Sequence, residues 1–551
     1  MNVFKEDLWK PVQGLDLNGE RELALTRLKD ITSNNLIDVK DFKTAPKNIF
    51  DAHEYVGYMD GSTSTKMTVQ FNLFGGTVLN LGTEKHHNNF LDKINSLENI
   101  GCFAFTERGY GNNAFKMETT AVFNKSDNTY TINSPTLASH KYWITNSACH
   151  ASHSVVFAQL KIEGEDYGPH PFLVRVRDEG GNFLPNVSIK DMGYKIGLNG
   201  VDNGELSFNN FTTDADSLLN SVSDVNSNGD FDSVIHNKRK RFLKMADQLV
   251  SGRVCISSMM LGCSKVLLNN TVNYALHRKS VGKGGDSTMP IIEYGIQRST
   301  LCPLIVRTIG LNLGLNRTKD AYVNKDNDLI TLACTIKPML AWNTQEIVTK
   351  CRELTGGEGF LASNQFGEGI AASWAGMTAE GDSKVLLMKA ASERIKSLNM
   401  QSITKTKIRK LFPTSVENNF KNRENFILTD LAIHTKQNRD YFDVWMDTHF
   451  QLVQDSARAY CDKVVYDEFE KIKTDVPHMK ELQRYFMLDC ITRDASWYCT
   501  QSVMSSYEMN RVIEEKLKLE KYIMSNIQYL MDGFDLSEDI IHAPMGQYKG
   551  Y

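Results

Sequence analysis

Hydrophobic and polar positions change rhythm three times along the 551 residues, and the changes predict four zones. Residues 1–100 read as helical, with Glu20–Asp30, the apolar run Val69–Leu81 and a charged helix-like piece around Leu91–Leu97. Residues 101–231 switch to short apolar runs between turn residues. Thr119-Thr120-Ala121-Val122-Phe123 and Tyr130-Thr131-Ile132 predict two strands around the polar turn Asn124–Asn128. Ser154–Ala158 and Phe172–Val176 predict two more, joined by Glu163–Gly168. That spacing predicts an antiparallel sheet or barrel. Residues 232–424 return to long helices. Arg239–Arg278 carries a broad apolar face with Met245, Leu249, Val254, Met259 and Leu261, followed by helical pieces at Tyr294–Asp326, Leu329–Thr355 and Ser383–Leu398. Prolines are sparse there, which suits a helical bundle. Residues 425–551 are again helical and rich in charge. The expected fold class is α+β, mainly α.

Composition narrows the function classes. Lys+Arg 62 against Asp+Glu 66 gives a net charge of −4, so nothing draws the whole chain to nucleic acid or an anionic membrane. The 10 cysteines are scattered with no C-x-x-C pair, which argues against a zinc ribbon or a disulfide scaffold. Free thiols in a reducing compartment are expected. The N-terminus turns acidic by Asp7 with no apolar signal region after it. The apolar stretch Ile330–Trp342 is interrupted by Lys337, well short of a membrane span. A soluble intracellular protein is the expectation.

Several local motifs carry little chemistry. Gly109–Ala114 and Gly357–Ala362 fit G-x-G-x-x-A, but neither follows a strand and opens a helix, so both read as turn glycines. Asp224–Gly229 opens like a calcium loop, yet the twelfth position is Ile235 instead of a bidentate Glu, so a solvated inter-domain loop is expected. Cys149, His150 and His153, and the pair His86 and His87, lack a converging fourth donor, and no metal site is expected. The most informative stretch is Gly356–Met388. Adjacent glycines at the end of a helix let backbone approach a ligand closely. Glu380 precedes a glycine just ahead of another helix, near unsatisfied backbone N–H groups. Plain N-terminal capping by Asp382 or Ser383 is the competing reading.

These segments line up with a family. Gly356-Gly357-Glu358-Gly359-Phe360 resembles the G-G-x-G-F/Y motif of acyl-CoA oxidases and dehydrogenases, and Thr378-Ala379-Glu380-Gly381 resembles the oxidases' T-F-E-G. Thr106–Gly111 resembles T-E-x-G-H-G, Glu118–Ala121 resembles E-T-T-A, and Asn133–Thr136 resembles N-S-P-T, in the same order. Asp202-Asn203-Gly204, the Tyr274…Arg278 piece, Asp532–Asp535 and Gly546-Gln547-Tyr548 also fit. The resemblance runs from about residue 65 to the end of the chain.

It implies a helical N-terminal domain (1–100), a central antiparallel β-barrel (101–231), a flavin-binding helical bundle (232–424) and a further C-terminal helical domain (425–551). It implies FAD, an acyl-CoA substrate, a homodimer and α,β-dehydrogenation to a trans-2-enoyl-CoA, the first step of fatty-acid β-oxidation. Glu380 is then the base. Thr106, Gly111, Trp143 and Thr145 become cofactor residues, with Thr106 at the flavin pyrimidine edge. Arg278, Gly356 and Gly357 are implied to reach the partner subunit's flavin. Donors to the thioester oxygen are implied to be the Glu380 backbone N–H and a flavin hydroxyl. Tyr142-Trp143-Ile144-Thr145-Asn146 departs from the oxidases' W-W-P-G-G and reads like the dehydrogenases' W-I-T-N, and Ala379 replaces their Phe. The acceptor is therefore O2, giving H2O2, or alternatively an electron-transfer flavoprotein. A catalytically idle scaffold is a further alternative. Peroxisomal residence is implied, but Tyr548-Lys549-Gly550-Tyr551 is not an S-K-L tripeptide, so cytoplasm or another organelle stays open.

Overall fold

The computed structural model describes residues 4, 7–398, 415–437 and 440–550. It divides into two units, Met1–Ile256 and Ser257–Tyr551.

The first unit begins with helices whose starts are written in the sequence. The Asp16 carboxylate accepts the Gly19 N–H at 2.7 Å and opens the helix Leu17–Ser33. Pro46 opens Pro46–Met59, where its missing N–H costs nothing. Asp60 caps Gly61–Met67 through the N–H groups of Ser62 and Thr63. The apolar run expected as one helix over Val69–Leu81 is wound wider, as a π-helical stretch Thr68–Gly75 followed by Gly76–Leu81. Its buried Gln70 explains the position. The side chain donates to the carbonyls of Ile94 and Asn99 at 3.0 and 2.9 Å, and accepts from Gly101 N–H at 2.8 Å. That ties this helix to the first strand.

Nine strands follow: β1 (Gly101–Ala104), β2 (Thr120–Asn124), β3 (Thr129–Asn133), β4 (Lys141–Thr145), β5 (His153–Ile162), β6 (Glu165–Arg175), β7 (Val187–Asp191), β8 (Asn203–Phe208) and β9 (Phe211–Asp214). The expected antiparallel β-barrel needs correction on two counts. The strands form a half-barrel of two sheets that does not close: β1-β5-β2-β3-β9 with β6 on β5, and β4-β8-β7. Closure needs ladder pairing all the way round, and β4 has a register irregularity between Lys141 and Ile144. The pairing is also mixed. The ten-residue β5 lays β1 parallel against His153–Val156 and β2 parallel against Gln159–Lys161, while β6 runs antiparallel. The two sheets share a core that includes Ala121, Ile132, Val156 and Phe172 with Ile144, Ile189, Leu206 and Phe208. Asp224–Gly229 is not an inter-domain loop. It turns the hairpin Ser223–Val225/Phe231–Ser233, with Asn226 Oδ1 accepting from Asn228 and Asp230 N–H.

The helix expected over Arg239–Arg278 breaks at Ala246–Asp247 into Lys238–Met245 and Gln248–His277. The second unit is helical. Leu329–Leu354 packs against Gly295–Asn324, Phe366–Thr378 and Ser383–Lys396. Val416–Gln437, Phe450–Ile472, Met479–Arg493 and Ser506–Ser525 complete it. Pro303 and Pro338 lie inside long helices, where packing overrides the lost backbone bond. One buried core joins Leu386, Leu387, Leu431, Trp445, Val453 and Ala457. A charged knot ties four helices: Arg307 bonds Asp489 at 2.6 Å and Glu346 at 2.5 Å, and Lys516 lies 2.9 Å from Asp489. Burial opposes the charge on Asp489, but Arg307 and Lys516 hold its pKa at about 2. Among the described residues, no helix is long and apolar enough to cross a membrane.

Candidate active site

In the first unit the structure gathers Thr106, Gly111, Trp143 and Thr145 around β4. The Thr106 carbonyl accepts the N–H of Tyr142 at 2.9 Å. The Glu107 carboxylate accepts N–H bonds from Glu118 at 2.7 Å and Thr119 at 3.0 Å, and pairs with Lys141 at 3.0 Å with both side chains buried. Burial pulls the Lys141 ammonium down to about 8 against the opposing pull of Glu107. Glu118 in turn accepts the hydroxyls of Tyr110 and, at 2.6 Å, Thr136. Three separate sequence motifs are thus knotted into one support. Gly111 turns away from it at φ +42 into open space, a backbone that favours glycine.

On β4, Trp143 is 55% exposed at φ +63. Left-handed backbone is a genuine outlier for a bulky residue. Two residues on, Thr145 Oγ1 accepts from Asn203 Nδ2 at 3.1 Å. Behind the strand end lies a buried polar cluster. Lys66 Nζ bonds the Asp202 carboxylate, Asn146 Oδ1 at 2.9 Å and His150 Nδ1 at 3.0 Å. Asp202 also accepts the N–H groups of Cys149 and His150. Burial works against its charge, but Lys66 and His150 hold the Asp202 carboxyl far below the ordinary range. The cluster fixes Asn146, itself left-handed at φ +69, and so fixes the end of β4.

In the second unit Glu380 lies in the turn between Phe366–Thr378 and Ser383–Lys396. It is half-buried, at φ +58, followed by Gly381 at φ +109. Asp382 accepts from Lys384 and Val385 N–H and caps the second helix, so the expected capping role is real and belongs to Asp382. Capping therefore does not account for the left-handed Glu380. Lys337, fully buried, donates to Met377 O at 3.2 Å and Gly381 O at 2.7 Å.

Gly356 and Gly357 stand elsewhere, past the end of Leu329–Leu354. Leu354 lies seventeen positions along the helix from Lys337, about 26 Å. The structure does not bring these glycines to Glu380. A chain of hydrogen bonds links their loop instead to the helix that ends just before Arg278. Asn364 donates to Glu358 O at 2.8 Å and accepts from Met545 N–H at 3.0 Å. Asn273 donates to Met545 O and Tyr548 O, both at 3.0 Å, one turn before the exposed Arg278. Gly356 adopts φ +60, while Gly357 has ordinary helical backbone.

Sequence reasoning missed Lys337, Lys66 and the Lys141–Glu107 pair as site supports. The one signal was a lone lysine inside the apolar run Ile330–Trp342. Among the described residues no group of three or more His, Cys, Asp or Glu could hold a metal ion.

Family models match three stretches: the acyl-CoA dehydrogenase middle domain over 102–211, the acyl-CoA oxidase C-alpha1 domain over 247–394 and acyl-CoA oxidase over 420–551. A relative, peroxisomal acyl-coenzyme A oxidase 3 of Arabidopsis thaliana, is 33% identical over 381 residues, covering 68% of this chain and 56% of its own length. The crystal structure of acyl-CoA oxidase 3 from Yarrowia lipolytica superimposes with a TM-score of 0.87 at 23% identity, over 100% of this chain and 86% of that one. Acyl-CoA oxidase 1 of Caenorhabditis elegans, solved in complex with FAD and ATP, has a TM-score of 0.84 at 20% identity, over 98% and 86%. The chain spans little more than half the length of the first-ranked curated relatives it matches. Helices, a half-barrel and a large helical unit are the architecture of the acyl-CoA dehydrogenase and oxidase class. Two of the three matched stretches are particular to the oxidases, and the chain belongs to the acyl-CoA oxidase family.

Proposed function

We propose that the protein is an FAD-dependent acyl-CoA oxidase working as a homodimer in fatty-acid β-oxidation. It converts an acyl-CoA thioester to a trans-2-enoyl-CoA. The observation that carries the reading is Glu380: a half-buried carboxylate in left-handed backbone, clamped by Lys337 between two helix ends. Its carboxylate takes the α-proton of the acyl group. Charge then develops on the thioester oxygen, and the Glu380 N–H is the chain's own donor to it.

What FAD supplies when bound is an acceptor for the β-hydride that hands its electrons on to O2, yielding H2O2. The residues present suit it. Trp143 offers an exposed aromatic face on β4, and Thr106 and Thr145 flank it. The fixed cluster behind β4 supports a rigid wall there. Arg278, Gly356 and Gly357 form a separate open corner, which fits their assignment to the partner subunit's flavin. The peroxisomal name of the relative favours that compartment for this chain as well.

The Trp143-Ile144-Thr145-Asn146 strand favours one alternative, transfer to an electron-transfer flavoprotein in place of O2. The test is a flavin spectrum with a panel of acyl-CoAs, with and without air. H2O2 released in air supports the oxidase. Reduction of a ferricenium-type dye without H2O2 supports the alternative. Glu380→Gln is expected to leave FAD bound and slow flavin bleaching by about 100- to 10,000-fold. Normal bleaching in that variant would place the base elsewhere.

A further inference from the structure

We propose that Lys337 is a positioning residue for Glu380, aiming both its carboxylate and its backbone N–H. The proposal rests on the reading of Glu380 as the base. The Lys337 side chain is fully buried in Leu329–Leu354 and donates to Met377 O at 3.2 Å and Gly381 O at 2.7 Å. These two carbonyls bracket Glu380, three residues before it and one after. Between them the backbone takes φ +58 at Glu380, which L side chains rarely adopt, and then φ +109 at Gly381. A buried amine needs such partners, and two carbonyls on one ammonium leave the intervening peptide units little freedom.

Simple helix capping does not explain the arrangement. Met377 is in the last turn of Phe366–Thr378, whose carbonyls lack intrahelical donors, so a cation is favourable there. That helix end already has a second donor, because Ser383 Oγ bonds Met377 O at 2.9 Å. Gly381 O lies outside both helices. The shorter Lys337 bond therefore serves the turn that carries Glu380, and not the helix end.

The test uses full-length, FAD-loaded protein and anaerobic stopped-flow bleaching by an acyl-CoA and its α-dideuterated form. Lys337→Met is expected to lower the limiting rate about 100-fold, the order of loss that follows a displaced reacting group. It should also enlarge the α-deuterium isotope effect while leaving the acyl-CoA dissociation constant unchanged. Lys337→Gln keeps an N–H donor and is expected to recover part of the rate. Ser383→Ala removes only the second donor to Met377 and is expected to leave rate and isotope effect unchanged. A readout independent of turnover is amide hydrogen exchange of the peptide covering 377–382. It should quicken in the Met variant and stay unchanged in Ser383→Ala. The proposal is overturned by a wild-type rate and isotope effect in Lys337→Met, or by Ser383→Ala matching its loss. If the Met variant does not fold, Lys337→Leu takes its place, and a wild-type rate and isotope effect there overturn the proposal instead. Wild-type protein that never bleaches overturns the oxidase reading and this role together. Bleaching equal in wild type and variant overturns the Lys337 role alone.

Discussion

Two residues in separate units share an unusual backbone. Trp143 on β4 sits at φ +63 and Glu380 in its helical turn at φ +58, and a buried lysine bonds a residue within three positions of each. The supports differ in kind. Lys66 faces a carboxylate, Asp202, within a cluster that also holds His150 and Asn146. Lys337 donates to the carbonyls of Met377, at a helix end, and Gly381, in the turn after it. An ion pair fixes a strand end strongly but can titrate. The two carbonyl oxygens carry no net charge, so these contacts are hydrogen bonds to neutral acceptors. Removing Lys66 strands a buried charge, whereas removing Lys337 takes one donor from two neutral carbonyls.

Breaking the ion pair tests this most severely. Lys66→Met leaves the Asp202 charge buried without its lysine, and a loss of about 3–5 kcal/mol is expected from calorimetric unfolding of the full chain. A loss under about 1 kcal/mol, the range of a surface pair, would show the cluster to be solvated. The acid side sharpens the contrast. Burial holds the pKa values of His153 and His170 at about 4, and Asp202 is held far below the ordinary carboxylate range. All three folded-state values are depressed, so the unfolded chain binds more protons as pH falls. Their stabilisation is full above the unfolded values, about 6.5 for His and about 3.9 for Asp. It drains from about pH 6.5 downward through the histidines, and below about pH 4 through Asp202. Thermal melts from pH 8 to pH 4 should show that decline in the first unit. His153→Gln should flatten its upper part, and an unchanged slope would remove His153 from the account.

Smaller effects probe the open corner. Gly356→Ala forces a side chain into left-handed backbone at φ +60 and is expected to cost about 1–2 kcal/mol. Gly357→Ala, at φ −61 with open space around its Cβ, should stabilise by less than about 1 kcal/mol. Equal denaturant midpoints for the two variants would contradict this local geometry.

Much of the fold was legible because it is local. Glu20–Asp30, Leu329–Thr355 and Ser383–Leu398 were visible as helices because each one's apolar pattern lies within one segment. β2 and β3 were visible for the same reason, a polar turn between two apolar runs. The parallel partners of β5 were not, since β1 joins it from about fifty residues upstream and no short-range signal marks that pairing. Nor was the break at Ala246–Asp247, where the apolar face continues across the interruption. Glu380 had a weak local signal, a carboxylate before a glycine just ahead of a helix, and capping competed with it; the motif resemblance singled it out.

The sequence alone determined the helical and strand zones, a cap at Asp382 or Ser383, and the motifs that carry the family resemblance. These depend on neighbours a few positions apart. Tertiary structure alone decided that the sheet stops at a half-barrel. It alone linked the Gly356–Gly357 loop through Asn364, Met545 and Asn273 to the helix before Arg278, about 26 Å along one helix from the level of Lys337 and the Glu380 turn. It alone put Lys337 on Gly381 and Lys66 on Asp202, partners 44 and 136 residues apart. A buried ammonium must find an acceptor, but only the packed chain determines which one.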